Sequence, residues 1–459
     1  MPVRPQEIVE RALAGPVGAG RAVVVTQTSE AVLRWANSTM TTNGHITAQE
    51  VAVVALEVVE GGTAVGVVSS GAPPSGPAAV DDLVAAARHA AREAGPARDV
   101  ALLPEPGGDD PAWSDGPAET SIGVFDRLVT GLADVLDGPQ RHYGFASHDL
   151  TTVWLGTSTG VRRRWVQPTG SIELNVKTPD LDGSAWTGMS TTDFTDVDVV
   201  ALAADATARL GWGRRRVSLP AGRYETLLPP SAVSDFLLML AWSMGGRPAQ
   251  EGRSAFAGPD GPRVGERLTD HPLTLASDPS AAGLEYAPFV TALHSGDGVS
   301  VFDNGAPARR VEWLRGGAVG ELAYSRPEAA DFGTEFAPPG DNLLLTGGST
   351  ASLADMVSRT RRGLLLTCLW YIREVDPATL LLTGLTRDGV YLVENGEVVA
   401  EVDHNFRFNH SPLDVVRQAT EIGATERTLP REWKDWFTRV AMPPMRVPEL
   451  NMSSVSPSR

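Results

Sequence analysis

The most regular apolar pattern in the chain lies between residues 229 and 246. Its members recur at the three- and four-residue spacing of one helix face, at Val233, Phe236, Leu237, Leu240 and Met244. Prolines at 229 and 230 precede the pattern, Ser231 offers a capping side chain, and glycines follow at 245 and 246. The pattern therefore predicts a buried helix that is capped by Ser231 and flanked by extended segments.

Before residue 220, strand-like segments are interleaved with helical ones. The predicted helices cover residues 5–15, 81–94, 125–136 and 196–210. The predicted strands cover residues 21–28, 31–43, 51–60 and 63–69, with three more within 143–178. A stretch rich in Pro, Gly and acidic residues, 103–120, is predicted to be a long exposed loop. This order predicts an N-terminal α+β domain over residues 1–219, resembling an α/β sandwich, with a mostly antiparallel sheet.

From residue 220 to residue 459 short extended segments dominate, which predicts a second, strand-rich domain. The sequences Asp303-Asn304-Gly305 and Glu394-Asn395-Gly396 predict hairpin turns. Ser411-Pro412 has the residue types preferred at the start of a helix. The tail from Met442 is rich in Pro and Ser, and we predict that it frays beyond Asn451.

Composition narrows the classes of protein to which the chain can belong. Its 459 residues are 42% hydrophobic and 21% charged, as expected for a globular protein. A net charge of −17 argues against nucleic acid or an anionic membrane as a partner. No apolar run approaches the roughly 18 residues of a membrane span, and the first residues lack the basic-then-apolar order of a signal peptide, so we expect a cytoplasmic location. A basic content that is almost entirely arginine, with much Ala, Gly and Pro, suggests a GC-rich bacterial genome.

Three stretches of the C-terminal half carry a family resemblance. Residues 219–237 read LPAGRYETLLPPSAVSDFL, residues 251–256 read EGRSAF, and residues 361–399 read RRGLLLTCLWYIREVDPATLLLTGLTRDGVYLVENGEVV. They resemble the TldD/PmbA family, which includes proteins named as modulators of DNA gyrase and subunits of a zinc peptidase complex. The resemblance implies a C-terminal domain of TldD/PmbA type, and it is weaker before about residue 140, where Arg34-Trp35-Ala36-Asn37 is similar to an N-terminal family signature.

The catalytic members of this family carry His-Glu-x-x-x-His on the matching helix. Here residues 237–244 read LLMLAWSM, without His, Glu or Asp. Zinc requires nitrogen, oxygen or thiolate donors that these side chains do not supply. The resemblance therefore implies a subunit of the PmbA type, also called TldE. We expect no catalytic residue, no metal ligand and no cofactor in this chain. Whether the chain has an enzymatic activity of its own stays open.

The remaining candidates for chemistry are a cysteine and two histidine pairs. Cys368, the single cysteine, lies in the apolar run LLLTCLWYI and is expected to be a buried, unreactive thiol in a strand. His142 and His148 are six residues apart, as are His404 and His410. In a strand that spacing corresponds to about 20 Å, so neither pair is expected to bind one ion.

Two further motifs favour structural roles. The glycine pairs at 245–246, 316–317 and 347–348 lack the lysine and hydroxyl residue of a phosphate-binding loop. The basic run Arg162-Arg163-Arg164 is expected to lie on a solvated strand or to contact a partner.

The family resemblance implies an assembly. In it, a TldD-type subunit supplies the zinc, and the C-terminal domains of the two subunits enclose a chamber for small unfolded peptides. A peptide can enter as an added strand, because that mode of binding uses mainly backbone hydrogen bonds. We expect Gly252, Arg253, Ser254, Gly347 and Gly348 to line the groove for substrate or partner. An ordinary helix-to-strand loop and a capping turn are the alternatives for these positions.

Two other functions stay open on the sequence alone. The chain could be a homodimeric peptide-binding protein without a catalytic partner. It could also be a self-contained hydrolase with an unrecognised site near His404 and His410.

Overall fold

The computed structural model describes residues 3–108 and 110–456. It confirms an α+β fold in which antiparallel sheets predominate. The helices are α1 (Pro5–Leu13), α2 (Pro77–Glu93), α3 (Asp126–Leu136), α4 (Val199–Trp212), α5 (Pro230–Trp242), α6 (Gly246–Gln250), α7 (Arg326–Phe332), α8 (Leu353–Ser358) and α9 (Pro412–Gln418).

The first six strands form one sheet in the order β3-β2-β1-β4-β5-β6. They are β1 (Gly20–Ala36), β2 (Thr39–Val59), β3 (Gly62–Ser70), β4 (Arg141–Thr157), β5 (Arg162–Lys177) and β6 (Ser184–Thr191). Every pairing in this sheet is antiparallel.

Eighteen further strands follow in the described part of the chain, and most of them are short. They are β7 (Arg216–Val217), β8 (Gly222–Leu228), β9 (Ala257–Gly258), β10 (Gly261–Pro262), β11 (Thr274–Ser277), β12 (Val311–Arg315), β13 (Ala318–Val319), β14 (Leu343–Thr346), β15 (Arg362–Leu366), β16 (Leu369–Asp376), β17 (Leu381–Thr386), β18 (Val390–Glu394), β19 (Glu397–Val402), β20 (Asn405–His410), β21 (Glu421–Ile422), β22 (Glu426–Thr428), β23 (Val440–Met442) and β24 (Met445–Ser456).

Most of the C-terminal strands form two sheets, and β9 pairs only with β10. One has the order β16-β17-β20-β24-β8-β15-β18-β19-β7, with β21 paired to β24. The other has the order β13-β12-β11-β14-β23-β22. Their apolar faces and α5 share one extensive core. The division into domains at residues 219 and 220 stays a prediction, and β7, just before it, pairs with β19 of the C-terminal sheet.

Both faces of the N-terminal sheet are covered along part of its length. On one face, α1 and α2 pack over Val23 and Val25, and α3 and α4 pack over Leu33 and Trp35. This follows from the period of two in a strand, which places alternate residues of β1 on the same face. The other face meets C-terminal residues, with Val24 close to Phe289 and Ala22 close to Phe302.

Several predicted boundaries in the N-terminal half are wrong. A separate strand over 31–43 does not exist, because β1 continues to Ala36 and the chain turns at Asn37 and Ser38, which have positive φ. The three strands expected within 143–178 are two long ones, β4 and β5, joined at the Thr157–Gly160 turn. The helices and the hairpin of β2 and β3 lie close to the predicted positions.

The basic run is structural. Arg163 donates to the carbonyl oxygen of Gly108 at 3.0 Å, and Arg164 donates to that of Gly116 at 2.6 Å. Arg162 forms an ion pair with Glu10 of α1. Arg163 and Arg164 thus hold the irregular segment 103–120, which was predicted to be an exposed loop, and that segment buries Leu103 against the sheet.

Boundaries in the C-terminal half also differ from prediction. Pro229, not Ser231, occupies the N-cap of α5, because two successive prolines already impose the extended entry and the first helical position. The Glu394–Gly396 turn joins β18 and β19 as predicted. The tail does not fray at Asn451, since β24 continues to Ser456 in the interior of a sheet. Within the described ranges no helix combines the length and apolar character needed to cross a membrane.

Candidate functional site

Helix α5 is the element on which the sequence resemblance predicts the position of the family's metal site. It packs against β23, α9 and β22, and most of its residues are buried. A helix that is apolar on nearly every face is stable only inside a protein core. Leu237, Leu240 and Met244 lie in that core, so three of the eight residues 237–244 have no access to solvent or substrate.

A zinc ion does not fit this segment. The side chains of residues 237–244 offer a thioether, a hydroxyl and an indole but no imidazole, carboxylate or thiolate. The Ser243 hydroxyl donates to the carbonyl oxygen of Met239 at 2.8 Å. In the part of the chain that is described, no three His, Cys, Asp or Glu side chains converge as a metal site would require.

The nearest carboxylate on α5 is Asp235, and it is completely buried. Its Oδ1 accepts the backbone N–H of Glu432 at 3.0 Å, and its carbonyl oxygen accepts the indole N–H of Trp433, also at 3.0 Å. Burial raises the pKa of Asp235 well above its ordinary value. An inaccessible carboxyl of this kind fixes the 431–436 turn on α5 and is unsuited to act on an external substrate.

An apolar cleft opens beside the last turn of α5. Leu238, Ala241 and Trp242 form one wall of this α5 cleft, and Trp313 and Phe437 form the other. Its volume is about 120 Å³. The Trp242 ring lies 6.4 Å from that of Phe437 and remains 48% exposed. These walls suit one apolar side chain of a ligand.

The rim of the α5 cleft is charged. Asp297 lines it, and the guanidinium of Arg253 lies 3.8 Å from the Asp297 carboxylate. Arg253 also pairs with Glu251 at 2.6 Å. Of the predicted groove residues, Arg253 therefore lies beside a cleft. Its neighbours shape the loop, because Gly252 has a φ of +75° and the Ser254 hydroxyl accepts the N–H of Phe256.

The other predicted groove residues lie at a second, larger cleft. Gly347 and Gly348 line an open cavity of about 580 Å³ together with His271 and Glu421. A Cβ on Gly347 would lie 2.1 Å from the carbonyl oxygen of Pro272, so only glycine fits there. This cavity does not include residues 252–254. The structure thus places Gly347 and Gly348 at this cavity and Arg253 beside the α5 cleft, whereas Gly252 and Ser254 line neither, and the binding role of all five residues stays a prediction.

The two histidines of the N-terminal pair have structural roles in the N-terminal sheet. His142 and His148 both lie in β4, which runs without a turn between them. His148 is within 2.6 Å of the Thr120 hydroxyl and 2.9 Å of the Thr192 carbonyl oxygen. Burial lowers the pKa of both imidazoles.

The C-terminal pair is similar. His404 Nε2 lies 2.9 Å from the carbonyl oxygen of Leu219, and His410 is buried in β20. Burial lowers the pKa of His410 to about 4. Neither histidine lines the α5 cleft.

Cys368 is buried but does not lie in a strand as expected. It falls between β15 and β16, where the chain changes position in the sheet. Burial raises the pKa of its thiol, which disfavours the reactive thiolate.

Sequence reasoning missed the residues that form the α5 cleft. Trp242 belongs to the predicted helix, but its partners Trp313 and Phe437 are far away in sequence. Asp297 lies in a glycine-containing loop without a recognisable motif. The one signal that the sequence offered is a tryptophan, Trp242, near the C-terminal end of the predicted apolar helix and outside its predicted buried positions.

Comparison with known protein families gives a match for the C-terminal half of the chain. A profile described as "PmbA/TldA metallopeptidase C-terminal domain" matches residues 221–454, just over half of the chain. No curated protein sequence matches significantly.

Solved structures match along nearly the whole chain. TldE from Thermococcus kodakarensis has a TM-score of 0.77 at 16% identity, covering 97% of this chain and 99% of its own. A proposed modulator of DNA gyrase from Bacteroides thetaiotaomicron has a TM-score of 0.75 at 14% identity, with 98% of each chain covered. A second proposed modulator of DNA gyrase, from Thermotoga maritima, has a TM-score of 0.71 at 16% identity, covering 94% of this chain and 95% of its own. At these identities the likeness establishes the fold. With the profile match, it shows that this chain is a member of the TldD/PmbA family.

Proposed function

We propose that this chain is the non-catalytic, TldE-type subunit of a zinc peptidase that processes small unfolded peptides. A TldD-type partner supplies the zinc and the residues that activate water. The observation that carries the proposal is that residues 237–244 contain no zinc ligand, in the segment that the sequence resemblance aligns with the metal-binding helix of catalytic family members. The extended likeness to a solved TldE supports the assignment at the level of the fold.

The contribution of this chain to peptide handling is proposed to be the α5 cleft. Its aromatic walls receive an apolar side chain, and the Arg253–Asp297 pair at its rim offers charges to the peptide backbone or termini. Unfolded peptides expose apolar side chains that folded proteins bury. Such a cleft therefore favours unfolded peptides over folded proteins as ligands.

The test measures zinc content and peptidase activity of three samples: this chain, a TldD-type homologue, and their mixture. We expect no stoichiometric zinc in this chain and full activity only in the mixture. A TldD-type chain with its His-Glu-x-x-x-His histidines replaced by alanine should abolish activity in the mixture. Stoichiometric zinc and turnover by this chain alone would contradict the proposal.

A variant pair tests the cleft within that mixture. Trp242→Ala should raise the KM for an apolar unfolded peptide severalfold, because one wall of the cleft is lost. Val264→Ala, which trims a side chain that is 57% exposed elsewhere, should leave KM unchanged. Tight peptide binding by this chain, unaffected by any TldD-type chain, would instead indicate a binding protein without a catalytic partner.

A further inference from the structure

The α5 cleft has one ionisable side chain in its lining. Among the described residues that form its walls and floor, only Asp297 carries a charge. No described residue donates a hydrogen bond to its carboxylate, and the nearest guanidinium, that of Arg253 at 3.8 Å, lies closer to Glu251, at 2.6 Å. The Asp297 side chain is 46% exposed and therefore lies at the mouth of the cleft.

The position of Asp297 is fixed by a short closed loop. Gly296 and Val299 exchange both backbone hydrogen bonds, at 2.9 and 3.2 Å, so the chain reverses around Asp297. The N–H of Gly298 donates to the carboxylate of Glu328 at 3.0 Å, and Glu328 is buried. Gly298 has a φ of +78°, a conformation that strains other residues. The fold therefore holds a carboxylate at the mouth without a hydrogen-bonded partner of opposite charge.

The polar side chains at the floor of the cleft already have their partners. The Ser277 hydroxyl donates to the carbonyl oxygen of Asn342 at 2.6 Å and accepts the indole N–H of Trp313 at 2.9 Å. The Asn342 amide donates to the carbonyl oxygens of Asp278 and Leu284, and its oxygen accepts the N–H of Asp278. Ser277 and Asn342 are both buried. A charged ligand group at this depth would lose its hydration and find these side chains engaged, whereas an apolar group would lose little.

We propose that the α5 cleft receives the N-terminal residue of a peptide, with an apolar side chain inside the cleft and the terminal ammonium at the Asp297 carboxylate. The inference rests on the proposed function, since it takes the ligand to be a peptide, and it names the class of peptide that the cleft favours. The cleft volume of about 120 Å³ suits one side chain of the size of leucine. The ammonium on the Cα of the same residue stays at the mouth, where the carboxylate lies.

Other groups of a peptide fit this arrangement less well. A lysine side chain that filled the cleft would carry its charge to the floor. A C-terminal carboxylate would meet the like charge of Asp297, and Arg253 is already shared between Asp297 and Glu251. An internal residue would bring a neutral amide N–H to the mouth, and such a donor binds a carboxylate more weakly than an ammonium does.

The first test compares four peptide amides by isothermal titration calorimetry with the full chain. Leu-Ser-Gly-Ser amide should bind about fivefold more tightly than its N-acetyl form, because acetylation removes the charge that pairs with a half-exposed carboxylate. It should bind about tenfold more tightly than Ser-Ser-Gly-Ser amide, which has the ammonium but no apolar side chain. Lys-Ser-Gly-Ser amide should also bind more weakly than the leucine peptide.

A matched pair of variants tests the carboxylate. Asp297→Asn keeps the shape of the side chain and removes its charge, so the free and the acetylated leucine peptides should bind within about twofold of each other. Asp260→Asn neutralises an exposed aspartate that does not line the cleft, and it should keep the fivefold preference. Ala241→Leu, which fills part of the cleft, should reduce the preference for the leucine peptide over Ser-Ser-Gly-Ser amide.

Equal affinity for the free and the acetylated leucine peptides would overturn the inference, as would tighter binding of the lysine peptide or no binding of any of the four. An undiminished preference in Asp297→Asn would exclude this carboxylate as its cause. If this chain alone holds zinc and turns over peptides while the preference is present, the proposed function is wrong and the peptide site remains. If the mixture with a TldD-type chain behaves as expected but the preference is missing, only the peptide site is wrong.

Discussion

Glu30 and Asp149 face each other across β1 and β4. Like charges directly opposite one another in an antiparallel pair are unfavourable. Burial, and after it the charge of Glu30, raises the pKa of Asp149 to about 6. The folded protein therefore retains a proton on Asp149 at pH values where the unfolded chain has released it. Its contribution to stability is present below about pH 4 and is lost as the pH rises towards 6.

Asp149→Asn should therefore stabilise the protein at pH 7.5 by about 1–2 kcal/mol, less than the full shift implies because the site is partly solvated. The gain should shrink to nothing near pH 4. Urea denaturation at the two pH values measures the difference. Asp82→Asn, which alters an exposed carboxylate on α2, is the control and should have little effect at either pH. An equal gain at both pH values would show that the ionisation of Asp149 is not its cause.

Turn residues show how far local sequence determines structure. Asn395 and Gly396 have φ values of +52° and +86°, as the hairpin of β18 and β19 requires, and this turn was predicted. Asp303-Asn304-Gly305 has the same residue types but forms no hairpin. The amide of Asn304 is buried instead and bonds both the N–H and the carbonyl oxygen of Ala292. Local chemistry allows both outcomes, and tertiary packing decides between them.

At the level of elements, β24 is held by a buried arginine. Arg446 donates to Glu421 on β21 at 2.8 Å and to Glu225 on β8 at 2.8 Å. It also donates to the Thr360 hydroxyl and to the carbonyl oxygen of Met356 in α8. A planar guanidinium can meet all these acceptors at once, which a lysine cannot do.

Replacing this side chain should be costly. Arg446→Met should lower the free energy of unfolding by about 1–3 kcal/mol, because the Thr360 hydroxyl, the Met356 carbonyl oxygen and Glu225 lose their shared donor, while Glu421 keeps its ion pair with Arg359. Arg446→Lys should lower it by less, since the charge is kept. The midpoint of urea denaturation measures both. Arg407→Met removes an exposed arginine on β20 and should change stability by less than about 0.5 kcal/mol. Similar effects of Arg446→Met and Arg407→Met would contradict this account.

Strand β24 also shows why an element can escape prediction. Its sequence contains Pro448 and several serines, which are typical of a frayed tail. In the structure the register shifts between Val447 and Leu450, so Pro448 lies where the ladder is already interrupted. Its partners on β8 and β20 lie far away in sequence, and no local pattern reveals them.

At the level of the whole molecule, one charged network links the N-terminal sheet to the C-terminal core. Glu173 on β5 accepts the indole N–H of Trp186 at 2.9 Å and lies 3.0 Å from Lys434. It is also 3.5 Å from Arg431, whose guanidinium stacks between Trp186 and Trp370. The 431–436 turn that contacts α5 is thus also fixed to the N-terminal sheet.

Neutralising this carboxylate should loosen the connection. Glu173→Gln keeps an acceptor for Trp186 but removes the charge that balances Lys434 and Arg431, at a cost of about 1–3 kcal/mol. Hydrogen exchange should become faster in residues 431–437 and in β6. Glu335→Gln, which alters an exposed carboxylate, should not change exchange there. Unchanged exchange in Glu173→Gln would mean that apolar packing alone holds the two parts together.

The candidate site could be predicted from the sequence only in part, because most of its residues are brought together by folding. The absence of metal ligands is a property of one continuous segment, residues 237–244, and could be read directly. The α5 cleft is formed by Trp242, Asp297, Trp313 and Phe437, which only the folded chain brings together. Residues 252–254 and 347–348 are both loops of the C-terminal half, but no sequence feature indicated that only the second loop lines a cavity, while Arg253 of the first lies beside the α5 cleft.

The place of β24 between β8 and β20 also sets an order of events during protein synthesis. The N-terminal sheet consists of strands made within the first 191 residues, and it can close while translation continues. The large C-terminal sheet cannot close until residues 445–456 have left the ribosome, so β8 and β20 must wait for the strand that lies between them. Nascent chains arrested before that point expose the apolar core around α5, and these are the species that chaperones should capture.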